Sequence, residues 1–255
     1  MDERDLAPLP PQVYSDPRPA EYFTRFYEHA RTHGPGWTYD LARLLLTPYC
    51  QVAFHTRSRH VERVPVQGPA IIAPNHFSAM DHFFCGIYLR RRVQFMAKSQ
   101  LFKRPLLEGI LRIGGTFPVR RGKRDEESIA TAKAILERGG AIVIYPEGGR
   151  SRSARIGDRA RPGIGRLALE TGAPVVPVAI HGSQGARNWK RLRFARVTVG
   201  YGTPRRWQRV SQATLAQQQM VADEVLGAVR ELYDEVEREA VAAGFEPSQP
   251  ARATR

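Results

Sequence analysis

Ala70-Ile71-Ile72-Ala73-Pro74-Asn75-His76-Phe77-Ser78-Ala79-Met80-Asp81 runs from an apolar stretch into a polar one within a dozen residues. The apolar run from Ala70 to Ala73 reads as a short buried strand. The amphipathic run from His82 to Leu89 reads as a helix. A histidine at a strand exit, followed one helical turn later by a carboxylate, is a compact general base. The carboxylate selects one imidazole tautomer and stabilises the imidazolium that forms. Such a pair needs no serine or cysteine nucleophile when the substrate brings its own hydroxyl, which points to transfer of an activated group onto an alcohol. The same residues have a structural reading: Ser78-x-x-Asp81 has the form of a capping box that opens the helix.

Three further stretches repeat the passage from apolar strand to polar turn. Gly114-Gly115-Thr116-Phe117-Pro118-Val119-Arg120-Arg121-Gly122 ends in paired arginines. Ala141-Ile142-Val143-Ile144-Tyr145-Pro146-Glu147-Gly148-Gly149-Arg150-Ser151 leads into a glycine turn with an arginine. Val175-Val176-Pro177-Val178-Ala179-Ile180 is an apolar strand. Arginine presents a planar donor fork that matches phosphate, and adjacent glycines let backbone N–H groups approach an anion. Arg121 and Arg150 sit at strand exits, where α/β sheets bind ligands, whereas Arg120 reads as a surface charge.

Taken in order, these four segments resemble the 1-acylglycerol-3-phosphate acyltransferase family of phospholipid synthesis, over about Ile71 to Ile180. The resemblance implies a single α/β domain with a mixed, mostly parallel sheet flanked by helices. It implies His76 as general base and Asp81 as its orienting partner. It also places Arg121, Glu147, Gly148 and Arg150 at the acceptor's glycerol phosphate, and Pro177 at the proline of the fourth block. Glu147 has a second possible task, pairing with an arginine to fix the loop. Where the family commonly has Phe-Pro-Glu-Gly-Thr-Arg-Ser, this chain has Tyr145 and Gly149 in place of the Phe and Thr, and the lost hydroxyl bears on which acceptor headgroup is taken. A lysine common after this block corresponds to Arg161.

The implied reaction joins an acyl thioester, carried by coenzyme A or acyl-carrier protein, to 1-acylglycerol-3-phosphate and yields phosphatidic acid, with no covalent acyl-enzyme. No other cofactor is expected. The alternative is another lysophospholipid or polar-lipid acceptor. No metal is expected either, since His76, Asp81 and His82 are poorly spaced as ligands.

The chain has 255 residues and a formal net charge of +14, which suits an anionic membrane surface. An arginine-rich nucleic-acid binder is the rival from another class. It is disfavoured because Arg150 to Arg166 lacks interleaved aromatics and no nucleic-acid motif is present. No secretory signal is read, and Leu41 to Phe54 is too short and too broken by Arg43, Pro48 and Gln51 to span a bilayer. Two distant cysteines, Cys50 and Cys85, fit a reduced compartment, with Cys85 in the core. The expected location is therefore cytoplasmic and peripheral to the inner face of a membrane.

The organisation read from the sequence is a Pro-rich disordered tail over 1–19, a helical extension over 20–60, the acyltransferase domain with a long C-terminal helix over 61–244, and a polar tail over 245–255. Helices are expected from Tyr22 towards Gly34, over Asp125 to Arg138, and over Ser211 to Gly244 as one or two pieces. A helix over 101–111 carries Leu101, Phe102, Leu106, Leu107, Ile110 and Leu111 beside Lys98, Lys103 and Arg104, which suits either core or a membrane interface. Gly163-Ile164-Gly165-Arg166-Leu167-Ala168 imitates a dinucleotide fingerprint but follows no buried strand, and it reads instead as the start of a helix ending at Thr171-Gly172.

Overall fold

All five residues of β2, Ala70–Pro74, are buried. A strand covered on both faces has no polar side to present, which is why its sequence is continuously apolar. β2 lies at the centre of a seven-stranded sheet ordered β1-β7-β6-β2-β5-β3-β4 in a computed structural model that describes residues 16–120, 125–151, 153–186 and 196–244. The strands are β1 Arg57–Arg59, β3 Gln94–Lys98, β4 Phe117–Val119, β5 Ala141–Val143, β6 Val175–His181 and β7 Thr198–Tyr201. β2, β3, β4, β5 and β6 pair in parallel; β7 runs antiparallel to β6, and β1 follows β7. The expected mixed, mostly parallel α/β sheet is observed.

Alternation along the strands divides the core. Ile71, Ala73, Ile142 and Val175 face helices α1 (Glu21–Thr32), α5 (Glu126–Glu137), α6 (Gly163–Thr171) and the first half of α7 (Leu215–Ala242). Ala70, Ile72, Val143, Val176 and Val178 face α2 (Trp37–Ala53) and α3 (Asp81–Gly86), where Cys50 and Cys85 are buried. α7 is one helix, opened by a Thr214–Gln217 capping box. Gly165 explains the fingerprint-like pattern: a Cβ there would meet Gln218 O at 1.9 Å, so the glycine is required for α6 to touch α7.

Several expectations need correction. The 20–60 extension is not an appendage: α1 buries Phe23, Phe26 and Tyr27 in the main core, and β1 completes a sheet edge. Within the expected tail, Asp16 is buried on Arg18 and Ser99; residues 1–15, and the polar tail beyond Gly244, lie outside the described residues. The helix expected from His82 to Leu89 stops at Gly86. The 101–111 helix divides into a 3-10 turn, Ser99–Lys103, and α4, Pro105–Ile113. Phe102 is fully buried, as the core reading expects, while Leu106, Leu107 and Ile110 are exposed.

Candidate active site

The loop leaving β2 carries His76, the candidate base. His76 Nδ1 lies 2.9 Å from Asp81 Oδ2, and the same oxygen accepts from the backbone N–H groups of Phe77 and Ser78, each at 2.7 Å. Asp81 is wholly buried, and its Oδ1 has no partner. The carboxylate therefore anchors the loop and the imidazole together, and the structural and catalytic readings of Asp81 describe one arrangement. The capping box itself is only half formed. Ser78 Oγ accepts from Met80 N at 3.2 Å rather than from the amide of Asp81. With Nδ1–H committed to the carboxylate, the basic lone pair of His76 is on Nε2.

Asn75 sets where this loop begins. Its Oδ1 accepts from Ile180 N at 2.7 Å and its Nδ2 donates to Ile180 O at 3.2 Å, prolonging the β2–β6 pairing by side chain where β2 has ended.

The loop after β5 closes around the same histidine. Glu147 Oε1 accepts from His76 N at 3.1 Å and Ser151 N donates to His76 O at 2.8 Å. Glu147 Oε2 accepts from Gly157 N at 3.3 Å. Burial raises the Glu147 carboxyl above its ordinary value, and the two backbone N–H groups only partly offset this. Gly148 has φ +67°, the left-handed backbone that favours glycine, and its N–H closes the turn onto Tyr145 O at 2.9 Å. Gly148 thus supplies the shape of the turn. The Tyr145 ring stacks on His76, with centroids 4.1 Å apart and planes at 25°, and its hydroxyl meets His82 Nδ1 at 2.7 Å. Burial holds the Tyr145 phenol well above its usual range.

Arg150 is exposed one residue before Ser151, which places it on the rim beside His76. Arg121 lies outside the described residues. Its neighbour Arg120, expected at the surface, is largely covered: its N–H donates to Asp125 Oδ2 at 2.7 Å and its guanidinium reaches Oδ1 at 3.6 Å. Asp125 also caps α5 and accepts from Tyr27, so Arg120 ties the end of β4 to two helices.

An apolar cavity of about 310 Å³ opens between α2, α3 and α4. Its lining includes Leu46, His82, Phe95, Leu107 and Ile110, and the His82 ring is 5.3 Å from that of His76. Asn75, Ser151, His82 and the cavity were not singled out as site features in the sequence; Tyr145 was visible there as a departure from a motif. Among the described residues no group of three or more His, Cys, Asp or Glu could hold a metal ion.

A strand-exit His–Asp pair bracketed by a Pro-Glu-Gly-Gly-Arg-Ser loop is the arrangement the family resemblance calls for, and an acyltransferase family model matches residues 55–181. The chain belongs to this acyltransferase family. Among similar proteins is the chloroplastic 1-acyl-sn-glycerol-3-phosphate acyltransferase of Brassica napus, 25% identical over 133 residues, which are 51% of this chain and 38% of that protein. Another is the 1-acyl-sn-glycerol-3-phosphate acyltransferase of Borreliella burgdorferi, 31% identical over 124 residues, which are 47% of this chain and 48% of that protein. The matches thus span less than half the length of these relatives. The crystal structure of the 1-acyl-sn-glycerophosphate acyltransferase PlsC of Thermotoga maritima shares the fold, with a TM-score of 0.56 over 84% of this chain and 88% of that one at 19% identity. No comparison favours a nucleic-acid role for this acyltransferase, and part of the basic run is neutralised, since Arg166 pairs with Glu126 and Glu170.

Proposed function

We propose that this acyltransferase moves a fatty acyl group from a thioester, on coenzyme A or acyl-carrier protein, to the free hydroxyl of 1-acylglycerol-3-phosphate, giving phosphatidic acid. The observation that carries the proposal is the His76–Asp81 contact at 2.9 Å inside a loop held by Glu147 and Ser151. His76 Nε2 takes the proton of the acceptor hydroxyl as its oxygen attacks the thioester carbonyl. The C–O bond forms, the tetrahedral intermediate collapses, the C–S bond breaks, and the imidazolium returns its proton to the thiolate. The buried Asp81 carboxylate stabilises the imidazolium in between. Arg150 and Arg121 bind the acceptor's phosphate.

The cavity beside His82 takes the hydrocarbon of an acyl chain, and α2 with α4 rests on the membrane. α2 turns Trp37, Leu41, Leu44, Leu45 and Val52 outward at helical spacing, and Leu106 of α4 is 79% exposed. An apolar stripe facing outward on a helix fits a lipid interface, and exposed Lys103 and Arg104 at the head of α4 fit its anionic headgroups. Among the described residues no helix is long and apolar enough to cross a membrane.

Gly149, in place of a threonine, favours a second reading in which the acceptor is a lysophospholipid with another headgroup. Purified protein incubated with labelled acyl-CoA or acyl-carrier protein and a panel of lyso acceptors decides between them. Labelled phosphatidic acid is the expected main product. Labelling of a different phospholipid alone selects the second reading, and no transfer to any acceptor overturns both.

A further inference from the structure

We propose that Tyr145 and His82 form a positioning pair for His76, an inference that rests on the reading of His76 as the base. Asp81 holds the imidazole at one atom only. A single hydrogen bond at Nδ1 leaves the ring able to rock about the Nδ1–Oδ2 line, which would swing Nε2 away from the acceptor oxygen. The Tyr145 ring removes that freedom by lying nearly flat on the imidazole, 4.1 Å between centroids at 25°. A flat aromatic partner also favours the imidazolium formed during transfer, since the ring face is electron-rich.

The tyrosine is itself held. Its hydroxyl meets His82 Nδ1 at 2.7 Å, and the His82 ring stands edge-on to both Tyr145 and Phe95, at 5.1 and 5.8 Å between centroids. His82 directly follows Asp81 on α3, so one helix turn carries both the in-plane partner of the base and the anchor of its stacking partner. Where the family's third block commonly has Phe, this chain adds a hydroxyl in a fully enclosed position, and a buried hydroxyl needs a partner. His82 provides it. The two residues are a matched pair, with His82 also lining the apolar cavity.

The test uses the full-length enzyme with Tyr145→Phe, His82→Leu, the double variant, and His82→Asn, whose amide restores a polar atom near the Nδ1 position. Tyr145→Phe keeps the ring and the volume, so it folds like the parent. Each of Tyr145→Phe and His82→Leu is expected to lower kcat about two- to twelvefold, the range that one net hydrogen bond supports. For Tyr145→Phe both substrate KM values should stay within about twofold, as expected for an interaction made with the base and not with substrate, while His82→Leu, which also alters the cavity lining, is read on kcat. The double variant should be no slower than the slower single variant, and His82→Asn should recover part of the loss. His76→Ala serves as the reference. If it retains turnover, the base assignment itself fails. If it is inactive while Tyr145→Phe turns over like the parent, raises a KM instead, or multiplies its effect with His82→Leu, the positioning pair alone is overturned.

Discussion

Glu147 accepts the peptide N–H of His76 at 3.1 Å, so the third sequence block grips the backbone of the proposed base. Ser151, four residues further on, donates to the carbonyl of the same histidine. His76 is therefore held by its peptide as well as by its ring, and Arg150 lies on the loop that does the holding.

The first prediction concerns the cost of that grip. Burial raises the Glu147 carboxyl above its ordinary value of 4.5 in the folded protein. Between that value and the raised one, the folded state keeps a proton that the unfolded state has released, so the contribution of Glu147 to stability falls as pH rises through the window. Glu147→Gln has no such proton. Urea denaturation of both proteins across this window should show the wild-type stability declining relative to the variant; a flat or rising difference would contradict the assignment.

A second prediction separates the two duties of Asp81. His76→Ala should lose on the order of 10²–10⁴ in kcat with the fold intact. Asp81→Asn should lose a comparable factor, and it should also lower stability by about 1–3 kcal/mol, because its amide nitrogen would occupy the partnerless site of Oδ1. Ser78→Ala removes only the bond to Met80 N and should cost about 1 kcal/mol with activity retained. Normal turnover by Asp81→Asn would sink the dyad.

For the phosphate arginines, Arg150→Ala and Arg121→Ala should each raise the acceptor KM about 10- to 150-fold, the worth of a charge-assisted hydrogen bond, and change the thioester KM little. Lysine should restore only part of the loss because it lacks the bidentate fork. An increase confined to the donor KM would reassign both residues to the thioester's own phosphates.

Asn75→Ala should act through the sheet. It strands the buried N–H and C=O of Ile180, at a cost of about 2–4 kcal/mol, and frees the entry to the His76 loop. Chemical denaturation and kcat should fall together. A variant as stable as the parent would show that Asn75 has no stapling role.

The proposed membrane face is tested with Leu44→Glu combined with Leu106→Glu, both on outward-facing turns. Sedimentation with anionic vesicles should drop by roughly tenfold or more, given about 1.5–3 kcal/mol for each apolar side chain withdrawn from lipid. Turnover on detergent-dispersed substrates should persist. Unchanged vesicle binding would move the interface elsewhere.

β2, β5 and β6 were legible in the sequence and β1 and β3 were not, for a physical reason. β2, β5 and β6 are covered on both faces and so announce themselves as apolar runs, whereas β1 is Arg57-Ser58-Arg59 and β3 is Gln94-Phe95-Met96-Ala97-Lys98, which carry no such signal. The His76–Asp81 pair was readable because its partners are five residues apart. Asn75 with Ile180, and Tyr145 with His82, are contacts between distant segments that no local pattern encodes. The same holds for the exposed stripe of α2, whose outward face is decided by what the sheet leaves uncovered.

Because the cavity is bordered by Phe83, Leu107 and Ile110, all exposed, its mouth lies among side chains that face outward from α3 and α4. A hydrocarbon tail of about fifteen methylenes costs about 12 kcal/mol to lift into water, at about 0.8 kcal/mol each. On the proposed reading, a doorway that opens onto a lipid surface spares the tail that journey: it slides sideways from one apolar medium into another, and only the polar head passes through water to meet His76.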